Sequence, residues 1–469
     1  MVTALSALLI AMSIASPPQP FGAVPSQRQL EWHSLEFYAF VHFGPNTFTS
    51  KEWGDGKEDP NIFNPTEFNT DQWCKVFSEA GMKGVIITAK HHDGFCLWPS
   101  KFSNHTVANS SWRNGKGDVL ADLSKSCAKY GLKFGVYVSP WDRNHPLYGT
   151  DEYNSVFVNT LTEVLTSYGD VFEVWFDGAN GEGPNGRKQV YDFPRFNQTV
   201  RNLQPKAVIF SDAGPDIRWV GNEAGYSDPT CFSTINRDRY VPGTPHYREL
   251  TQGTENGSHW VPAECDVSIR KGWFWRESEN DTVKSGKTLL DLYLRSVGQN
   301  ASFLLNVPPD TRGLIHEKDQ AALMAFKRFR DQLFEDCVSI GASAEATNFR
   351  NNSSQFSPVH LFDQNANTYW ATDDDTRVAS VTIQLKRSSS VSTALIQEHI
   401  ALGQRVTRFD IDAWMDGEWK TVFRGTTIGY KRIATFPAVQ TDRLRFTVLR
   451  SNASPVINSL SFFSPSKIN

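Results

Sequence analysis

The sequence predicts an α/β chain: a TIM-like (β/α)8 barrel followed by a C-terminal all-β sandwich. Three observations predict it. From about residue 30 to 335, short β-rich runs alternate with longer helical stretches, and the runs are apolar along nearly their whole length, as strands covered on both faces must be. About eight such units in roughly 300 residues favour a closed parallel barrel over an open doubly wound sheet. Beyond Cys337 helical periodicity stops, and strands follow one another between turn residues in the pattern of a sandwich. A chain of 469 residues has room for both units, with 39% apolar residues to fill their cores.

The N-terminus is an apolar run ending in the small-x-small triplet Ser13-Ile14-Ala15, which reads as a signal peptide over residues 1–16. The run is short for a bilayer span and Pro17, Pro18 and Pro20 close it, so no membrane anchor is expected. The barrel is expected over residues 27–337. Its strand candidates are Phe37–Phe43, Gly84–Ala89, Lys133–Ser139, Val171–Asp177, Ala207–Ser211, Trp260–Cys265 and Ser302–Val307. Helix-like segments Thr70–Ala80, Val119–Tyr130 and Ser155–Ser167 lie between them. The loop-rich stretch Ser227 to Gly257 leaves room for one further strand. The sandwich, over 340–469, has strand candidates Val378–Leu385, Ser392–Glu398, Arg405–Trp414, Trp419–Thr426, Arg443–Leu449 and Val456–Phe463.

Composition narrows the partners. The formal net charge is −4, with no basic field to hold a phosphate backbone, so nucleic acid is not an expected partner. The 14 Trp, 13 Tyr and 32 Phe permit stacking on sugar rings, although most must simply fill a core of this size. Asn-x-Ser/Thr sequons stand at Asn104, Asn109, Asn197, Asn256, Asn280, Asn300, Asn351, Asn352 and Asn452, which fits a secreted, extracellular glycoprotein. Cys74, Cys96, Cys127, Cys231, Cys265 and Cys337 match no zinc spacing; one or two disulfides and buried thiols are both compatible with them. No metal and no other cofactor is expected.

In a barrel of this kind the chemistry sits where strands end, so polar residues closing apolar runs are the candidates. His42 follows Phe40-Val41 and precedes Glu52-Trp53; alone it could be a satisfied core histidine. His91 and His92 follow Val85–Lys90. Adjacent strand residues point to opposite faces, so one shared metal ion is not expected, and hydrogen bonding to substrate hydroxyls is the better reading. Tyr137 joins an aromatic face to a hydroxyl. Asp177 closes the run Phe172–Phe176; it could merely cap the next helix, but period 2 sets it on the face of Trp175. The loop after Ala207–Ser211 offers Asp212, Asp216 and Glu223 as partners, and a loop carboxyl beside Trp is a reasonable proton donor because apolar neighbours raise its pKa. Two carboxyls, one to protonate the leaving oxygen and one to attack or to activate water, are the requirement for glycoside hydrolysis.

At these residues the chain resembles glycoside hydrolase family 29, the α-L-fucosidases, and especially the branch of plant and bacterial α-1,3/1,4-fucosidases. The resemblance rests on HFGPNTF (42–48), EWGDG (52–56), AKHHDGFCLWPS (89–100), SPWDRN (139–144), EVWFDGANG (173–181), AVIFSDAGPDIRWVGNEAG (207–225), WVPAECDVSIRKGWFW (260–275) and FLLNVPPD (303–310). The segment LFDQNANTYW (361–370) and the strands after it resemble the galactose-binding or discoidin-type sandwich appended to glycosidases. The resemblance implies a retaining, exo-acting enzyme with Asp177 as nucleophile and Glu223 as acid/base. It implies that His42, Glu52, Trp53, His91, His92, Tyr137 and Trp175 grip fucose, and more weakly Arg218, Trp219 and Trp273. The implied substrate is a fucosylated oligosaccharide or glycoprotein; action on α-1,2-fucosylated xyloglucan, or service as a non-catalytic lectin, are the alternatives.

Overall fold

The computed structural model describes residues 16–243 and 247–466; the expected signal peptide, apart from Ser16, lies outside them. Eight parallel strands close a barrel: β1 (Phe37–Val41), β2 (Gly84–Lys90), β3 (Lys133–Val138), β4 (Val171–Trp175), β5 (Val208–Ser211), β6 (Ile217–Trp219), β7 (Ala263–Ser268) and β8 (Ser302–Asn306). They neighbour one another in chain order, and β8 returns to β1 with Phe37 opposite Phe303 and Phe40 opposite Asn306. The long helices outside are α2 (Thr70–Ala80), α3 (Val119–Tyr130), α4 (Asp151–Ser167), α5 (Phe193–Leu203), α6 (Gly286–Arg295) and α7 (Glu317–Leu333), while α1 (Gln27–His33) precedes β1. Helix starts are chemically marked: Asn69 accepts from the Gln72 amide at α2, and Asp118 from the Ala121 amide at α3.

Two expectations are corrected. The missing strand is not between Ser227 and Gly257: β6 follows β5 after a turn, with no helix between them. The later stretch instead yields Thr234–Ile235, paired antiparallel with His259–Trp260 outside the barrel. Trp260 therefore does not begin β7. Pro262, which has no N–H to give a ladder, separates the two elements.

Period 2 sorts the barrel strands into two rows. Phe37, Ala39, Val85, Ile87, Val136, Ile209 and Leu305 face the helices, in one cluster with Trp73, Phe77, Leu123, Phe157 and Phe326. Tyr38, Phe40, Ile86, Tyr137, Trp175, Phe210, Ile217 and Leu304 fill the axis, and Trp32 of α1 with Leu35 joins them.

The C-terminal unit is a seven-stranded antiparallel sheet around its own core: β9 (Ser343–Ala346), β10 (Trp370–Ala371), β11 (Ala379–Glu398), β12 (Val406–Met415), β13 (Glu418–Gly425), β14 (Arg432–Ser451) and β15 (Val456–Phe463). The two expected strands 378–385 and 392–398 are halves of β11, broken by register shifts rather than by a turn. All six cysteines are unbridged; Cys74 and Cys127 approach most openly, with Sγ atoms 3.8 Å apart between α2 and α3.

The two units meet at a buried asparagine. Asn300 Nδ2 donates to the Cys231 carbonyl at 2.9 Å and to Ser233 Oγ at 3.1 Å, and Oδ1 accepts from the Tyr430 amide at 2.7 Å. Gly429 permits this approach, since a Cβ there would collide with Asn300. Tyr430 stacks on His33 with centroids 5.2 Å apart, and Lys431 pairs with Glu36. Asn300 is 2% exposed with every polar atom used, so this sequon is structural. Asn300→Ala orphans buried partners on both units and is expected to cost about 2–4 kcal/mol, read as a lower thermal and urea midpoint.

Candidate active site

β4 ends at Trp175, and the Phe176 amide still donates to the Phe210 carbonyl at 3.0 Å. Asp177 thus leaves the barrel at its C-terminal mouth, with its side chain a quarter exposed. Its Oδ2 accepts from Tyr137 Oη at 2.9 Å and its Oδ1 from the Ala179 amide at 2.7 Å. Beneath it Trp175 stacks between Tyr137, at 5.3 Å, and Phe210, at 3.9 Å. The Trp175 indole N–H donates to Glu264 at 2.7 Å.

Three histidines pack beside this aspartate. Burial lowers His42 to a pKa of about 3 and His92 to about 4, and puts His91 well below its ordinary value; the charge of Asp177 opposes the shift at His92 without cancelling it. All three are therefore neutral near pH 7. His42 Nδ1 lies 2.9 Å from Asn306 Oδ1, an acceptor, so Nδ1 carries the proton. His92 Nδ1 lies 2.8 Å from Ser139 Oγ, whose own proton goes to the Trp141 carbonyl, so His92 also donates from Nδ1. Its bare Nε2 then faces Asp177 Oδ2 at 3.7 Å. His91 Nδ1 has no partner among the described residues. The rings of His91 and His92 stand 4.2 Å apart on the same side of the site, against the strand-based expectation, because β2 ends at Lys90 and the chain turns at these residues. Lys90, buried, anchors that turn on Asp142 at 3.1 Å.

Glu223 stands on the exposed rim of a cleft of about 550 Å³ that Asp177, Trp175, Trp219, Asp212, Lys188 and Asp266 also line. Its pKa is raised, first by loss of water around the carboxyl and further by the charges of Asp177 and Glu52; the Trp273 side chain, hydrogen-bonded to it, pulls the other way. Glu52 is itself engaged, accepting from the Trp273 amide at 2.6 Å and pairing with Arg276. Trp53 is 55% exposed and meets His92 and Trp141 edge-on. Trp273 lies over His42, centroids 5.0 Å apart.

Of the other carboxyls, Asp212 stays in the cleft. Burial pushes it up to about 6, although it accepts from the Gly243 amide. Asp216 does not reach the cleft: it is buried against Arg28, Arg201 and the Ile209 amide. Arg218 is likewise corrected. It is fully buried, and its guanidinium is spent on the carbonyls of Leu250, Val261 and Phe232, tying the loop after β6 to the barrel. The motif reading passes over Asp266, which takes the Trp219 indole N–H at 2.8 Å and is raised well above the carboxylate range by burial and by Glu223. A signal was available: Glu264, Asp266 and Ser268 recur at period 2 along β7.

The site therefore pairs one carboxylate held by donors with one carboxyl biased toward its protonated form. Among the described residues no three His, Cys, Asp or Glu side chains are grouped to hold a metal ion. A second cavity, about 660 Å³, opens near Arg28, Lys133 and Lys206 at the N-terminal ends of β3 and β4, away from these groups.

The family profile described as alpha-L-fucosidase matches residues 21–331, and that of the F5/8 type C domain matches 340–461. Alpha-L-fucosidase 1 of Arabidopsis thaliana is 42% identical over 98% of this chain and 92% of its own length. A Ruminococcus gnavus glycoside hydrolase family 29 fucosidase, solved in complex with fucose, superposes with a TM-score of 0.89 at 31% identity, covering 97% of this chain and 98% of that one. A glycoside hydrolase 29 family member from an unknown rumen bacterium gives 0.85 at 39% identity, over 96% and 79%. With matches along both units and carboxyls at the barrel mouth, the chain belongs to the α-L-fucosidase family.

Proposed function

We propose that the protein is a secreted, exo-acting, retaining α-L-fucosidase that releases terminal α-1,3/1,4-linked fucose from oligosaccharides or glycoproteins. The observation that carries the reading is Asp177, held by Tyr137 and the Ala179 amide in the same cleft as Glu223. Asp177 attacks the anomeric carbon while Glu223 gives its proton to the departing oxygen, forming a fucosyl-enzyme. Glu223 then deprotonates water, which displaces Asp177. Neutral His42 and His92 each offer an acceptor nitrogen to a sugar hydroxyl, and His91 has a nitrogen to spare. Trp53 and Trp273 supply apolar faces for the ring and its methyl group. The aromatic floor at Trp175 closes the cleft below, which suits a chain terminus.

Export is supported by the N-terminal apolar run and by exposed sequon asparagines at 104, 109, 256, 351 and 352. N-terminal sequencing of protein recovered from the medium is expected to begin at about residue 16 or 17; an unprocessed intracellular chain would overturn this part of the reading. The linkage is tested by product analysis on defined α-1,2-, α-1,3- and α-1,4-fucosylated oligosaccharides, with release from the branched α-1,3/1,4 members expected and preference for α-1,2-fucosylated xyloglucan fragments overturning it.

Asp177→Ala is expected to lower kcat on an aryl α-L-fucoside by roughly 10³-fold or more with an unchanged circular dichroism spectrum, and azide should restore turnover. Persisting activity without azide would remove Asp177 from this role. Nuclear magnetic resonance of the first-formed sugar should show α-L-fucose; the β-anomer would mean inversion. For Glu223→Ala the loss should depend on the leaving group, roughly 10²–10⁴-fold on oligosaccharides and far less on an activated aryl fucoside. Because Glu223 must be protonated to act as acid, activity falls as pH rises through its raised pKa, and Glu223→Gln should abolish that basic limb.

A further inference from the structure

Below the site, inside the barrel, two glutamates face each other with no part in the reaction just described. Glu173 (β4) and Glu264 (β7) are both 0% exposed, and their carboxyls lie within interaction range of each other. Two carboxylate oxygens cannot bond unless one carries a proton. Burial and the facing carboxylate push Glu173 well above its ordinary value, with Asp216 acting in the same direction; burial also raises Glu264, while its donors oppose this. Two like charges in this dry position would be costly, so one proton stays.

The donors decide which residue keeps it. Glu264 receives the Trp175 indole N–H on Oε1, at 2.7 Å, and the Tyr38 hydroxyl on Oε2. Tyr38 is itself pushed up by burial and by both glutamates, so it stays a donor. Glu173 receives the Trp32 indole N–H on Oε2, at 3.0 Å, whereas its Oε1, fully buried, meets no donor at all. An oxygen with no donor is accounted for if it is the one that bears hydrogen.

We propose that Glu173 and Glu264 form a proton-sharing pair in which Glu173 is the acid and Glu264 the carboxylate, and that Glu264 is a positioning residue for catalysis. It fixes the indole of Trp175. The ring of Trp175 stacks on Tyr137, and Tyr137 donates to Asp177. The orientation of the nucleophile thus depends on a charge two layers below it that no substrate touches. The positioning role rests on Asp177 being the nucleophile; the protonation state does not.

The test compares amide variants of the purified full chain. In Glu173→Gln the amide N–H replaces the O–H toward Glu264 and its carbonyl still accepts from Trp32, so kcat/KM should stay within about twofold of the parent. In Glu264→Gln the amide N–H must face an indole N–H or the Tyr38 hydroxyl, so kcat should fall roughly 10- to 100-fold, with a smaller change in KM. The infrared difference spectrum of parent minus Glu173→Gln at about pH 9, where free carboxyls are ionised, should show a protonated-carboxyl C=O band from Glu173, the contribution of buried Asp266 being common to both and cancelling. That band does not depend on activity, so it remains decisive if Glu264→Gln fails to fold. Absence of that band from the difference spectrum, or equal damage from the two amides, would overturn the proposal. Loss of the nucleophile assignment would leave the band in place and remove only the link to catalysis.

Discussion

A closed parallel barrel has a dry axis, and this constraint organises the molecule. Half of every strand points into a space filled by Tyr38, Phe40, Ile86, Phe210 and Leu304. A polar group on that row has no water to turn to and must find a partner within the barrel. At the level of Trp32 and Tyr38 the glutamates take up the aromatic donors of Trp32, Tyr38 and Trp175. At the mouth the strands stop, the row opens to solvent on one side, and Asp177, Asp266 and His42 lie where a ligand can supply what the protein does not.

The same dryness assigns protonation states. The site histidines pack against aromatic rings and one another and lose their charge, becoming hydrogen-bonding groups with one donor and one acceptor each. Asp177 and Glu223 share one cleft but not one environment. Asp177 has two donors, Tyr137 Oη and the Ala179 amide, on its oxygens; Glu223 has the Trp273 side chain as a donor but loses water and sits beside negative charge, and the net effect raises it. Separating two carboxyls by their surroundings is what general-acid and nucleophile roles require of chemically similar side chains. On the proposed role of Asp177 the neutral histidines matter: a protonated imidazole beside it would hold back the charge that has to reach the sugar.

Much of this was legible in the sequence, for identifiable reasons. Strands buried on both faces advertise themselves as apolar runs, and seven of the eight barrel strands were readable on that ground. β6 was not, because Ile217–Trp219 spans three residues between turns. Asp177 was readable because it closes an apolar run and its period-2 neighbour is Trp175. Asp216 and Arg218 misled because a charged residue in a loop looks available, and only the fold shows Arg218 inserted among the carbonyls of a loop more than ten residues away. The histidine pair misled because strand alternation was applied to the two residues past the strand. Glu173 lay inside a quoted motif but reads as a neighbour of Asp177; its meaning depends on Glu264, which no local pattern connects to it.

The C-terminal unit reaches the site through the chain that leads into β8. Tyr430 and Gly429 hold Asn300, which leads directly into β8, and β8 ends at Asn306. Asn306 Oδ1 accepts from both the amide and Nδ1 of His42, while its Nδ2 donates to Ser268 Oγ and to the Trp273 carbonyl. One asparagine therefore sets the tautomer of a site histidine and the position of the tryptophan bonded to Glu223. A five-residue strand lies between the domain junction and this hub, hydrogen-bonded on both sides by β1 and β7, so it transmits position rather than absorbing displacement. On these contacts the C-terminal unit is structurally continuous with the mouth of the barrel, and its bracing of the barrel follows from the geometry.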